Sequence, residues 1–236
     1  MSVLVWDEIG KKTYETGVKK GVLYVQNSDG SYEKGVAWNG LSKVSEKPTG
    51  AESNAVYADD IKYLNLVSTE EFEATIEAYT YPEEFEKCDG IASPVKGVSI
   101  GQQRRSNFAF SYVTTVGNDT EGTDYGYKIH IVYGATASPS EKSYETINDS
   151  PEAISFSWEV KTTPVPVTGF KPTATFTIDS KKTDAEKLKK LEEKLYGTES
   201  EEPTVLMPDE IISLFKEESP DTDPDTNPDT DPDVNP

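Results

Sequence analysis

The run YGYKIHIVYG, Tyr125 to Gly134, alternates with a period of two: Tyr127, Ile129, Ile131 and Tyr133 fall on one side, Lys128, His130 and Val132 on the other. Successive side chains of an extended chain point to opposite faces, so this pattern predicts an antiparallel strand. The same period recurs nearby. In FAFSYVTT, Phe108, Phe110 and Tyr112 oppose Ala109, Ser111 and Val113. In ISFSWEV, Ile154, Phe156, Trp158 and Val160 oppose Ser155, Ser157 and Glu159, and TATFTID sets Ala174, Phe176 and Ile178 against threonines. The four runs are expected to build one core.

Working outward, strand-like alternation extends from Gly21 to about Asp179, broken by turn signals. GNDTEGTDYG, Gly117 to Gly126, is expected to be a turn, and NSDGSYEKG, Asn27 to Gly35, a hairpin tip. The polar stretches from Ser45 to Asp60 and from Gly134 to Glu152 are too long for tight hairpins and read as exposed loops able to reach a neighbour. After Asp179 the period changes. Thr183 with Glu186 reads as a capping box, Leu188, Leu191 and Leu195 form one stripe, and Gly197 marks the stop. A second short helix is expected from Pro208, at its first position, to Lys216. The fold class is therefore mainly β, an antiparallel sandwich with one or two flanking helices.

Residues 1–218 read as one domain and residues 219–236 as an extended acidic tail. SPDTDPDTNPDTDPDVNP has one apolar side chain, Val234, too little to offset the entropy of ordering. Its alternating aspartates lack the central glycine and final glutamate of an EF-hand loop. The formal charge is −20; the six aspartates between Asp221 and Asp233 leave −14 on residues 1–218. A surface of that sign repels phosphate, which argues against tight nucleic-acid binding. Cys88 is the only cysteine, so no intrachain disulfide forms. No apolar run approaches a membrane span, and Val3 to Trp6 lacks a basic leader.

One histidine and one cysteine leave little room for common catalytic devices. Cys88 with His130 has no local signature to support it, and no G-x-S-x-G turn presents a serine. Zinc needs more ligands of these types, and no phosphate-cradling loop is present. The remaining candidate is EEFEATIEAYTYPEEFEKCDG, Glu70 to Gly90. Residues 70–80 read as a strand, with Phe72, Ala74, Ile76, Ala78 and Thr80 on one side and Glu71, Glu73, Thr75, Glu77, Tyr79 and Tyr81 on the other. A helix capped by Ser68 competes for the same residues. Paired glutamates across a cleft are the equipment of glycosidases, but nothing singles out such a pair. Pro82 is expected to open a short helix ending before Gly90, with Arg104 and Arg105 as counter-charges.

Two long segments carry a resemblance: GAESNAVYADDIKYLNLVSTEEFEATIEAYTYPEEFEKCDG and GYKIHIVYGATASPSEKSYETINDSPEAISFSWEV. From about Val3 to Lys216 the chain resembles the major tail proteins, or tail tube proteins, of siphophages and prophages of Gram-positive bacteria. The resemblance implies a homo-oligomer, hexameric rings stacked into the tube of a long tail in the virion, assembled in the bacterial cytoplasm. It implies tape measure, tail tip and terminator proteins as partners, double-stranded DNA in transit during ejection, no membrane, and neither enzymatic residues nor a cofactor. Part of each sheet would join its neighbours' around the lumen, with loops or arms linking rings. On that basis Glu71, Glu73, Glu77, Lys128 and His130 are expected on a lumen or interface face, an acidic lumen would let DNA slide, and the tail would project outward and be dispensable. A carbohydrate-binding or adhesive β-sandwich, with Tyr79, Tyr81 and Tyr125 as sugar platforms, is the alternative.

Overall fold

The computed structural model describes residues 3–147, 149 and 152–216, so the acidic tail lies outside the described residues. The described residues form antiparallel sheets and two α-helices. The principal sheet has eight strands: β1 (Thr13–Val25), β2 (Val36–Trp38), β3 (Leu41–Glu46), β6 (Glu73–Ala78), β9 (Phe108–Asn118), β10 (Gly122–Ala137), β11 (Phe156–Thr162) and β12 (Thr175–Asp179). Their order is β2-β1-β9-β10-β11-β6-β3, with β12 also paired to β10. Only Asn39 and Gly40 separate β2 from β3, so the two ends of the order are joined by a tight turn, and β3 returns against β1. The sheet is thereby folded over itself. Two small hairpins stand outside it, β4 (Ser53–Ala58) with β5 (Ile61–Val67) and β7 (Ala92–Val95) with β8 (Val98–Ile100).

The four alternating runs build two cores rather than one. Phe108, Phe110 and Tyr112 face inward with Val132, Trp158, Val160 and Ile76. Ala109, Val113, Ile129, Ile131 and Tyr133 face the other way, under α1 (Ala185–Tyr196) and α2 (Pro208–Phe215). Strands β9 and β10 are buried on both faces over Phe108 to Val113 and Ile131 to Ala135, one face covered by the folded-over sheet and one by helices. The inner core is aromatic. Phe85, on the 3₁₀ turn Glu83–Lys87, is fully buried with its ring 4.6 Å from Trp38, 5.5 Å from Phe108 and 5.1 Å from Trp158, and closes one end of the sandwich.

Several boundaries differ from expectation. The turn between β9 and β10 is only Asp119–Glu121, and β10 runs past Gly134 to Ala137. Gly134, at φ +57°, is the extra residue of a bulge: Val132 pairs with Phe110 but Ala135 with Phe108. The bulge shifts the alternation, so Val132, Ala135 and Ala137 all meet the inner core. Ile154 lies before β11. Pro82 caps the 3₁₀ turn rather than occupying its first position. Helix α1 is capped by Asp184, whose Oδ1 accepts from the Glu186 and Lys187 amides at 3.0 Å, while the Thr183 hydroxyl donates to the Asp179 carbonyl. Its leucine stripe, its stop at Gly197 and the proline start of α2 are as expected.

The stretch from Ser45 to Asp60 is not a loop. Beyond Glu46 the pairing of β3 with β6 continues through Lys47–Glu73 and Thr49–Glu71 hydrogen bonds into β4 and β5. Residues 41–78 thus form one long ribbon, its inner half in the sandwich and its outer half beyond it. Gly50, at φ +82°, sits where a Cβ would come 2.1 Å from the Thr69 carbonyl oxygen, so the crossover at the arm's root requires glycine. At the tip, Asp59 and Asp60 both have positive φ, the pattern of a type I′ turn.

Candidate functional site

The inner face of β9 and β10 becomes polar beyond Tyr112, at the end opposite Phe85. His130 stacks on Tyr112 with ring centroids 4.7 Å apart and planes at 4°. Glu15 of β1 and Glu46 of β3 flank it, the first 3.5 Å from Nε2 and the second 3.8 Å from Nδ1. Lys128 donates to Glu15 at 2.5 Å, Thr114 donates to the same carboxylate at 2.5 Å, and Tyr112 donates to Glu46 at 2.5 Å. With its own hydrogen committed to Glu15, the Thr114 oxygen accepts at 2.9 Å from Nε2–H, so the network assigns a proton to that nitrogen.

Burial pushes the His130 pKa below its ordinary value despite the two carboxylates that favour the cation. For Glu15, burial pushes upward, but hydrogen bonds from Lys128 and Thr114 outweigh it and hold the carboxyl low. The hydrogen bond to Glu15 holds the Lys128 ammonium above its usual range. Four strands therefore meet in one small proton-linked cluster. The Thr177 hydroxyl of β12 also approaches it, 3.4 Å from Nδ1, and among the described residues no group of three or more His, Cys, Asp or Glu could hold a metal ion.

Glu73 and Glu77 lie on the opposite side of the sandwich from this cluster. On β6, Ile76 and Ala78 meet the inner core, while Glu73 and Glu77 are half-exposed on the other face, with Thr75 buried between them. Glu77 pairs with Lys43 of β3 at 3.0 Å and Glu73 with Lys161 of β11 at 3.2 Å. With Glu159 they make β3-β6-β11 a polar sheet face carrying cross-strand ion pairs. Glu71 falls short of β6, exposed at the arm's root. Thus the five expected site residues divide into Lys128 and His130 inside, Glu73 and Glu77 outside, and Glu71 between arm and body.

The tyrosines divide too. The strand ends at Ala78, so Tyr81 does not continue the carboxylate side but packs edge-on against Phe85, Phe156 and Trp158. Lys181 lies over Tyr125, 4.4 Å from its centroid, which leaves Tyr79 as the open ring of the three. Arg105 does not serve the glutamates. With Lys142 it holds buried Asp89, at 3.3 and 2.6 Å, and it also donates to the Ala137 carbonyl. Cys88 is buried in the inner core at this end, far along the sandwich from His130, and burial pushes its thiol up to about 12. That is an inert thiol.

The two outlying hairpins were not legible as such. On β4–β5, Tyr57, Ile61, Tyr63 and Val67 are 65–69% exposed. On β7–β8, Val95, Val98 and Ile100 are 49–61% exposed. Strand β6 locates them: the arm leaves from its Glu73 end, and the 3₁₀ turn leading to β7 follows its Ala78 end. No helix among the described residues is long and apolar enough to cross a membrane, which does not bear on strands. Comparison with protein-family models and with curated protein sequences returned no match.

Proposed function

We propose that this chain is a structural subunit that assembles with copies of itself, and that the assembly is the hexameric-ring tail tube of a siphophage-like virion, a conduit for double-stranded DNA. One observation carries the self-assembly reading: an arm of paired strands on which Tyr57, Ile61, Tyr63 and Val67 stand exposed to solvent in the single subunit. An isolated two-stranded ribbon is marginal in water, and contiguous exposed apolar surface marks an interaction site. The tube and the phage setting come from the sequence resemblance. In this reading the face of β3-β6-β11 lines the bore, where Lys43 and Lys161 are already paired to carboxylates and offer phosphate little purchase. The subunit performs no catalytic step and takes no cofactor; tape measure, tail tip and terminator proteins are its partners in the tail.

Negative-stain microscopy and light scattering on the purified chain test this. Rings or tubes of uniform diameter are expected, and replacing residues 51–68 by a short Gly-Ser link should leave a folded monomer. A parent chain that stays monomeric at high concentration, or an arm-less variant that assembles as well as the parent, overturns the reading.

A further inference from the structure

The two hairpins that stand outside the principal sheet differ in charge as well as in place. The arm, residues 51–72, carries five carboxylates against the single Lys62, with Asp59 and Asp60 at its tip. Residues 91–107, which contain β7–β8, carry Lys96, Arg104 and Arg105 and no acid, the reverse of a chain at −20. Lys96 lies in the β7–β8 turn and Arg104 beside its root, both exposed, whereas Arg105 is engaged by Asp89. The acids beside this hairpin are Asp89, already engaged by Arg105 and Lys142, and Glu83, Glu84 and Glu86 of the 3₁₀ turn at its base, where Glu86 accepts from Ser93 at 2.9 Å.

Both hairpins expose apolar side chains, and they leave β6 from opposite ends. From this we infer that the β4–β5 arm of one copy docks on the β7–β8 hairpin of a second copy, apolar flank against apolar flank, with Asp59 and Asp60 near Lys96 and Arg104. The two patches are different surfaces, so the contact is heterologous: each copy gives an arm at one end and receives one at the other. Such a contact repeats head to tail instead of pairing two copies, and with donor and receiver at opposite ends of β6 the repeat extends as a stack rather than ending at a dimer. Unpaired strand edges of both ribbons are covered in the same step. The inference rests on the self-assembly reading and names the receiving surface for the arm.

Charge reversal in the full-length chain tests it, each variant first checked for an unchanged melting temperature. D59N/D60G, which suits the positive-φ turn, should raise the concentration needed for assembly about tenfold, since two charge pairs are lost. K96E/R104E should prevent assembly, and D59K/D60K added to K96E/R104E should restore it. Cysteines placed at Tyr63 and Val98 should form disulfide-linked ladders between copies under oxidation. If K96E/R104E assembles like the parent, or the combined reversal fails to recover what it lost, the docking is wrong while self-assembly stands. A monomeric parent that yields no cross-linked ladder overturns both.

Discussion

His130 shows how one residue can couple four strands. Its folded pKa lies below the ordinary 6.5, so between that value and the lower folded one the unfolded chain binds more protons than the native state. The contribution of neutral His130 to stability is therefore complete above pH 6.5 and falls as acid carries the pH down through this window. Glu15, held low, adds a second loss at more acid pH, when its own folded pKa is crossed. Replacing His130 by Gln removes one titrating group and should flatten the melting temperature between pH 7 and 5 relative to the parent, which calorimetry across that range would measure. An unchanged slope would assign the acid loss elsewhere. The sequence displayed His130 on the face opposite Ile129 and Ile131, but not its partners: Glu15 is 115 residues away along the chain and Glu46 is 84, and no local spacing connects them.

At the scale of elements, the legible strands were those with a dry face. β9, β10, β11 and β12 alternate because each packs at least one face on a core, and α1 announced itself by its leucine stripe. Alternation reveals that a strand has two faces but not what covers each, which is why one core was expected where two exist. β1 was hidden in its first half because two irregularities, between Thr16 and Lys19 and between Lys19 and Val22, interrupt the pattern. β4 and β5 were hidden for a different reason: they have no core of their own to impose a pattern. Gly134 supplies an element-scale test. Its bulge lets β10 pair first with β12 and then with β11, and a Cβ there would meet the Thr163 carbonyl oxygen at 2.3 Å on a positive-φ backbone. Gly134→Ala should destabilise the fold by about 1–3 kcal/mol in denaturant titrations. A neutral result would show that the bulge relaxes freely.

For the whole molecule, sign and placement of charge matter more than the total. The described body is acidic, yet the open face of β3-β6-β11 balances Glu73 and Glu77 with Lys161 and Lys43. Reversing E73K and E77K together would unpair both lysines and create a cationic strip on that face. Duplex DNA should then be retained at low salt and released as salt rises, with a slope of about −0.9 per phosphate contacted. Retention by the parent to the same degree would remove the face from consideration as a passive lining. The expected sandwich with flanking helices stands at this scale, but the arm that most alters its outline was written in the sequence as a polar loop.

The strand order has a further consequence, in time rather than space. β1 finds its main partner in β9, and β6 finds β11, so the first strand has little to pair with until some hundred more residues have been made. Non-local pairing of this kind slows folding, because loop closure must precede the contacts that reward it. During that wait the ribbon of residues 41–78, whose contacts are local, is the part able to form early. The newborn chain would thus hold out its apolar arm before it has a body, and timely completion of β9 to β11 sets how long that arm is left unattended in a crowded cell.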